Sequence, residues 1–256
     1  MTEQDETNAN VIRPISRRAL IFYGLCRFIA VGTSRLYFPG EVIGKRHLPS
    51  SGAYVLAPVH RSNVDWLVVA RVTRRRLRYI VKQEVWKVKA VGRFIELLGA
   101  FPVRRASADR ESLHRCLEVL LAGEPLVLFP EGTRGAGPLV GDLREGAAYL
   151  ALRAGVPIVP VGLAGTESAM PRGKRLPRPA RVAIVIGAPL DPRAAGLVEE
   201  GRTRVARSAT HQLNAELQDA IQRSLTDALG SLNGRRRSKA IGLAADSTRT
   251  ASNETD

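Results

Sequence analysis

Residues 53–72 read AYVLAPVHRSNVDWLVVARV, a strand-like run followed by a helix-like one. The unbroken apolar run Ala53–Val59 is typical of a buried strand, and Val64–Val72 has the spacing of a helix. The same alternation continues along the chain. The further predicted strands are Arg78–Val81, Ala100–Val103, Pro125–Phe129, Val156–Val161 and Arg181–Ile186, and the further predicted helices are Val91–Leu98, Asp109–Leu121, Gly146–Ala154 and Arg202–Leu229. This order predicts a single layered α/β domain with a mixed central sheet flanked by helices.

The composition is that of a globular protein with a large excess of positive charge. The 256 residues are 45% hydrophobic and 25% charged, which excludes a disordered chain. Two cysteines exclude a disulfide scaffold and a Cys-rich zinc site. The net charge is +15, and +9 of it lies between Arg71 and Arg110, where twelve bases accompany three acids. This excess indicates an anionic partner, which is nucleic acid, a membrane surface or a phosphorylated substrate.

The segment of residues 17–38, RRALIFYGLCRFIAVGTSRLYF, predicts an amphipathic helix. Arg27 interrupts the apolar run, so the segment does not match a standard membrane span, and the acidic residues ahead of it do not fit a signal peptide. On a helical wheel, one polar arc of about 100° holds Arg17, Gly24, Arg27, Ser34 and Arg35. The wide apolar remainder favours a helix that lies in a membrane interface. The alternative is a helix whose apolar face packs on the domain's own core.

His60 and Asp65 form the first candidate site, directly after the strand Ala53–Val59. The two side chains can meet if His60 lies on the loop and Asp65 in the first turn of the next helix, which Ser62 or Asn63 would cap. A carboxylate there would fix the imidazole tautomer and leave the other ring nitrogen free as a base. The alternative is a capping box between Ser62 and Asp65, in which Asp65 has only a structural role.

Two further apolar runs end in cationic turns. Leu126–Phe129 leads into Pro130-Glu131-Gly132-Thr133-Arg134, and Gly99–Val103 leads into Arg104 and Arg105. Ligands bind at the carboxyl ends of strands in α/β sheets, and a guanidinium group presents a planar fork to phosphate oxygens. The turns therefore predict a phosphate site, although an ordinary Pro-Gly turn with surface charges explains the first of them equally well.

Taken together and in this order, the motifs closely resemble the glycerolipid acyltransferases, the family of bacterial 1-acyl-glycerol-3-phosphate acyltransferases. The resemblance covers roughly residues 40–189. His60 to Asp65 matches the family's histidine–four residues–aspartate motif, Phe129–Arg134 matches its FPEGTR motif, and Val156–Val161 is similar to its fourth motif. Arg104, Gly135 and the segment Leu143–Gly146 depart from the family pattern.

The resemblance implies an O-acyltransferase that moves a fatty acyl group from acyl-CoA or acyl-carrier protein to the free hydroxyl of 1-acyl-glycerol-3-phosphate, forming phosphatidic acid in phospholipid biosynthesis. His60 would be the base and Asp65 its orienting partner. The phosphate contacts implied by the motifs are Arg105, Glu131, Gly132, Thr133 and Arg134, with Arg104 as an additional acceptor contact. No metal and no cofactor are expected besides the thioester co-substrate. The chain contains no G-x-S-x-G nucleophile elbow, in keeping with direct attack on an activated thioester.

Two alternatives remain open. The first is the same chemistry on another lysophospholipid or a glycolipid, which also fits the motifs. The second, a basic nucleic-acid-binding protein, is remote, because aromatic side chains, on which bases stack, make up only 5% of the chain. The predicted organisation is a disordered N-terminus (1–14), a membrane-interface helix (15–38), an acyltransferase domain (39–232) and a flexible C-terminal tail (233–256). The predicted location is the cytoplasmic face of the cell membrane, as a peripheral or monotopic protein on an anionic surface.

Overall fold

The computed structural model describes residues 17–82, 87, 92–93, 95–96, 98–103, 108–174, 176–198 and 204–252. Its helices are α1 Arg17–Tyr37, α2 Asp65–Val69, α3 Ala108–Leu121, α4 Gly146–Ala154, α5 Thr166–Ala169 and α6 Arg207–Ser252, with a 3-10 turn at Lys45–His47. Its strands are β1 Gly40–Ile43, β2 Val55–Pro58, β3 Arg78–Lys82, β4 Ala100–Val103, β5 Leu126–Val127, β6 Ile158–Ala164 and β7 Val182–Ile186. The predicted N-terminus 1–14 lies outside the described residues, as do residues 91, 94 and 97 of the predicted helix Val91–Leu98, whose residues 92–93 and 95–96 are helical.

The described strands form one seven-stranded sheet in the order β1-β7-β6-β2-β5-β3-β4. All neighbours are parallel except β6 and β7. The prediction of a layered α/β fold with a mixed sheet is confirmed. Strands β2, β6 and β7 are buried along their whole length, which is why their sequences are continuous apolar runs rather than alternating ones. Strand β1 and helix α5 were not predicted, because four residues are too few to establish a period.

Helix α6 covers β6 and β7. Its buried side chains recur every three or four residues, as a helix with one apolar face requires, at Leu213, Leu217, Ile221 and Leu225. The fit is close at Gly162 of β6, where an added Cβ would lie 2.1 Å from the backbone oxygen of Ser224. The sequence predicts a flexible tail from residue 233, and here the structure differs, since α6 continues to Ser252. Residues 233–252 include four Arg and four Ala, which favour helix.

Helix α1 rests on the domain with part of the polar arc of its wheel, at Arg27 and Ser34, whereas Gly24 and Arg35 of the same arc are exposed. Ser34 and Val31 are buried, and the Arg27 guanidinium group donates to the carbonyl oxygens of Ala70, at 3.2 Å, and Thr73. The apolar side is turned outward, and its exposed members are Leu20, Ile21, Phe22, Leu25, Phe28, Ile29 and Leu36. This set is called the outer apolar face below. In the described part of the chain this face does not pack on the domain's own core, so the alternative prediction is wrong. None of the described helices combines the length and the hydropathy that crossing a membrane requires.

Candidate active site

The two main motifs meet at one edge of the sheet. Strands β2 and β5 are parallel neighbours, with Val55 opposite Leu126 and Leu56 opposite Val127. Both strands therefore end at the same edge of the sheet. The loop that begins at His60 lies there beside the loop 129–135. The amide of Gly135 donates to the carbonyl oxygen of His60 at 2.9 Å and joins the two loops directly.

His60 and Asp65 are in contact, as their spacing predicted. His60 Nδ1 lies 2.9 Å from Asp65 Oδ2. The same oxygen accepts the backbone N–H groups of Arg61 at 2.6 Å and Ser62 at 2.7 Å. A carboxylate oxygen accepts hydrogen bonds, so Nδ1 carries the hydrogen in this pair and Nε2 has the free lone pair. The local geometry thus supplies an oriented base.

Asp65 serves both of the roles that the sequence left as alternatives. It bonds the imidazole, and it also holds the backbone ahead of α2 by accepting the two amides. The predicted side-chain cap is wrong, because the residue that caps α2 is Val64 and makes no side-chain bond. Ser62 Oγ instead donates to the carbonyl oxygen of Met170 at 2.9 Å, and Asn63 is exposed.

The imidazole of His60 lies between an aromatic ring and solvent. Its ring centroid is 4.3 Å from that of Phe129, with 32° between the planes. The His60 side chain keeps 24% of its surface exposed. Among the described residues, no hydrogen-bond partner is found for Nε2. This nitrogen is therefore open to a substrate, while Phe129 restricts how the ring can turn.

Glu131 does not occupy the position that the resemblance implied. Only 7% of the residue is exposed, and Oε1 accepts the backbone N–H of His60 at 2.8 Å. Oε2 accepts Gly141 N–H at 3.1 Å and lies 3.4 Å from Arg61 Nη1. A buried carboxylate with all these donors repels phosphate rather than binding it, so we correct the expected role of Glu131 to one of positioning His60.

Arg61 is a component of the site that the sequence analysis missed. It is 5% exposed, and Nη2 donates to the carbonyl oxygen of Leu139 at 2.7 Å. A Cβ on Gly135 would lie 2.1 Å from Arg61 Nη1. Gly135, which departs from the family pattern, thus leaves room for the guanidinium group.

The remaining residues of the FPEGTR turn face outward. Gly132 has φ +67°, a left-handed conformation that favours glycine. Thr133 is exposed and Arg134 is half-buried. Within the described part of the chain, no hydrogen bond or ion pair occupies the side chain of Arg134. Its guanidinium group is therefore available to an anion.

Arg144 is a second residue that the sequence analysis did not assign to the site. Its backbone amide donates to the carbonyl oxygen of Pro130 at 2.9 Å. A Cβ on Gly132 would lie 2.6 Å from Arg144 Nε, so the guanidinium group rests on that glycine. The sequence analysis noted Arg144 only as part of the segment Leu143–Gly146, which departs from the family pattern, although it brings a second cation to the turn.

Arg104 and Arg105 lie outside the described residues. Strand β4, which ends at Val103 just before them, belongs to the same set of parallel strands as β5 and leaves the sheet at the same edge. Their predicted contacts with the acceptor stay predictions.

A buried thiol near the sheet is not a candidate nucleophile. Burial raises the pKa of the Cys116 thiol to about 12, so it remains protonated at neutral pH. It is 2% exposed and belongs to the hydrophobic core.

Sequence comparisons with known proteins indicate one family. The sequence model of the acyltransferase family matches residues 40–164. A 1-acyl-sn-glycerol-3-phosphate acyltransferase of Bacillus subtilis is 30% identical over 151 residues, which are 59% of this chain and 73% of the relative. A Chlamydomonas reinhardtii protein with the same name is 31% identical over 192 residues, 72% of this chain and 57% of that protein. The chain spans about half the length of the plant and algal relatives it matches.

A solved structure has the same fold. It is the crystal structure of the 1-acyl-sn-glycerophosphate (LPA) acyltransferase PlsC from Thermotoga maritima, which superposes with a TM-score of 0.68 over 88% of this chain and 87% of that one. The two sequences are 22% identical, so this likeness concerns the fold alone. With the bacterial relative and the matched sequence model, the motifs at the edge of the sheet establish that the chain belongs to the acyltransferase family.

Proposed function

We propose that this protein transfers a fatty acyl group from acyl-CoA or acyl-carrier protein to the free hydroxyl of 1-acyl-glycerol-3-phosphate. The observation that carries the proposal is the His60–Asp65 pair, with its 2.9 Å contact at Nδ1 and its unoccupied Nε2. The names of the relatives from Bacillus subtilis and Chlamydomonas reinhardtii support the choice of acceptor.

The reaction needs one base and no protein nucleophile. Nε2 of His60 takes the proton of the acceptor hydroxyl as the oxygen attacks the thioester carbonyl carbon. The tetrahedral intermediate collapses, the C–S bond breaks, and the imidazolium returns its proton to the departing thiolate. The products are the ester and a free thiol. Asp65 stabilises the imidazolium through Nδ1 while it exists.

The acceptor phosphate binds at the FPEGTR turn in this proposal. Arg134 and Thr133 supply donors, and the Arg144 guanidinium group, which rests on Gly132, adds a second cation beside them. Arg105 and Arg104 are proposed to reach the same phosphate from the end of β4, the edge strand that β3 separates from β5. No metal or cofactor is required by this scheme.

The protein is proposed to work as a peripheral membrane protein. The outer apolar face of α1 supports this, since Ile21 is 74% exposed and Phe28 is 76% exposed. Apolar side chains on one side of a helix bury themselves at the boundary between headgroups and acyl chains. Its attachment to the cytoplasmic face stays a prediction from the resemblance.

Replacing His60 tests the mechanism. His60→Ala should lower acyl transfer from acyl-CoA to 1-acyl-glycerol-3-phosphate by about 10²–10⁴-fold, because the base is lost. His114→Ala is the matched control, since this side chain is 72% exposed on α3. It should retain full activity. A folded His60→Ala variant with undiminished turnover would contradict the proposal, and an assay across a grid of lysolipid and glycolipid acceptors identifies the acceptor.

A further inference from the structure

A basic pocket lies between α1, the 3-10 turn and the segment that follows α2. Its volume is about 550 Å³, within the range of small-ligand sites. Its lining residues are Gly24, Arg27, Phe28, Val31, Gly32, Arg35, Lys45, Arg71, Val72, Thr73 and Arg74. This set is called the basic pocket. It contains no residue of the His60–Asp65 loop or of the loop 129–135, so it is distinct from the candidate active site.

Five cations line the basic pocket, and no carboxylate is among its described lining residues. Two of them are held in place by backbone carbonyl groups. Arg71 donates to the oxygens of Phe38 at 2.8 Å and Gly40 at 2.7 Å, and Arg27 donates to those of Ala70 and Thr73. These bonds fix the guanidinium groups without neutralising their charge.

The other three cations, Arg35, Lys45 and Arg74, are exposed at the pocket. For none of them does the described part of the chain supply a hydrogen bond or an ion pair. Since unpaired cations in one concavity repel each other, a bound anion would relieve the repulsion of all five at once.

Two features of individual pocket side chains agree with a bound anion. Partial burial, and then the charges of Arg35 and its neighbours, lower the pKa of the Lys45 ammonium group. Arg71 is 4% exposed, and its Nε is buried without a partner among the described residues. A buried donor that lacks an acceptor is costly to leave unsatisfied.

The basic pocket borders the outer apolar face. Phe28 belongs to both, and Gly32 lies one turn further along the same side of α1. When this face is immersed at the boundary between headgroups and acyl chains, the pocket lies at the level of the lipid phosphates. A phosphate within a bilayer therefore fits the pocket's position better than one in solution.

We propose that the basic pocket binds the phosphate of an anionic phospholipid in the membrane, at a site separate from the acyl acceptor. The inference goes beyond the proposed acyl transfer and does not depend on it. Bound lipid would hold α1 and the segment after α2 against the bilayer, and this would orient the protein on its surface.

Vesicle flotation of the full chain tests the proposal. The double variant Arg35→Gln and Lys45→Gln should weaken binding to phosphatidylcholine vesicles that contain phosphatidylglycerol by about 30-fold, the expected effect of two cations near the surface. Binding to pure phosphatidylcholine should not change. Both side chains are exposed, and a thermal melt verifies that the variant folds.

A matched control separates the pocket from diffuse surface charge. Arg46→Gln with Arg172→Gln removes the same charge from exposed residues that do not line the pocket, and it should weaken binding by less than about threefold. Equal weakening by both pairs, or none by the pocket pair, would overturn the proposal. So would saturable binding of inorganic phosphate as tight as that of the vesicles, measured by titration calorimetry, because it would assign the pocket to a free anion.

The same variants distinguish failure of the lipid-site proposal from failure of the proposed acyl transfer. Acyl transfer to a water-soluble short-chain acceptor should be unchanged in the pocket pair. Loss of that activity with intact vesicle binding would contradict a separate lipid site, whereas a wild-type chain that transfers no acyl group would leave the vesicle result standing.

Discussion

At the residue scale, one oxygen atom of Asp65 links the fold of a loop to the chemistry proposed for it. Oδ2 accepts from two amides and from the imidazole of His60. The carboxylate is fully buried, and Oδ1 has no partner among the described residues. The loop and the base therefore depend on the same charge, which makes a neutral replacement informative.

Asp65→Asn should lower kcat by about 10²–10⁴-fold with a smaller change in the acceptor KM, because the imidazolium loses its charged partner. The uncharged amide also makes weaker bonds to the two backbone amides, which should cost about 1–3 kcal/mol of unfolding free energy. Steady-state kinetics and urea unfolding measure the two effects. Asp219→Asn, at an exposed position on α6, is the control for loss of a carboxylate. Equal kcat in the two variants would show that His60 does not depend on Asp65.

Gly135 is the second residue whose replacement is informative. The Cβ of Gly135→Ala would lie 2.1 Å from Arg61 Nη1 and 2.8 Å from Glu131 Oε2. Both partners are buried and cannot move into solvent, so the variant should lose about 1–3 kcal/mol of stability. Its acyl transfer should fall as well, since Glu131 holds the backbone of His60. Gly146→Ala is a fair comparison, as its Cβ would meet Leu113 at an ordinary 3.7 Å. Identical urea midpoints for the two variants would argue against a tight Arg61–Glu131 pair.

At the element scale, the packing of α6 on β6 is set by the glycine at position 162. The helix approaches the strand so closely that a Cβ there would lie 2.1 Å from Ser224 O and 2.4 Å from Leu225 N. Both are backbone atoms, so a larger side chain moves the whole helix. The helix in turn covers the strand next to β2, which leads to His60.

Gly162→Ala should therefore destabilise the protein by about 1–3 kcal/mol, measured by urea unfolding. Gly230→Ala on the same helix has no atom within 4 Å of the new Cβ. It should stabilise the protein by up to about 1 kcal/mol through helix propensity. A Gly162→Ala variant as stable as the wild type would mean that α6 can shift without cost.

At the scale of the whole molecule, the excess charge is distributed over two separate sites. Arg134 and Arg144 lie at the edge of the sheet near His60, whereas Arg35, Lys45 and Arg74 lie around the basic pocket. Arg27 and Arg71 also belong to the cationic excess of the sequence, but both donate to backbone carbonyl groups of the chain itself. Their charge still contributes to the pocket, although they are not free surface cations.

The outer apolar face should determine affinity for neutral membranes. Leu25→Asn with Ile29→Asn replaces two side chains that are each 57% exposed. Binding to phosphatidylcholine vesicles should weaken at least about tenfold, because two apolar side chains no longer enter the bilayer. Leu121→Asn with Leu176→Asn changes exposed leucines elsewhere and should have little effect. Equal sedimentation of both double variants with vesicles would rule out α1 as the contact.

The sequence by itself determined the layered α/β class, the pairing of His60 with Asp65 and the family. These features depend on residues that are close together in the sequence. His60 and Asp65 are five residues apart, and the spacing of apolar residues alone indicates which strands and helices are buried. Only the tertiary structure decided that Glu131 supports His60, because their meeting requires β2 and β5 to be neighbours although 71 residues separate the two side chains in the chain. It also decided that α1 turns the side that carries Arg27 and Ser34 inward. A helical wheel defines two faces, but which one is buried depends on the carbonyl groups of Ala70 and Thr73, which accept the Arg27 guanidinium group only once the chain has folded.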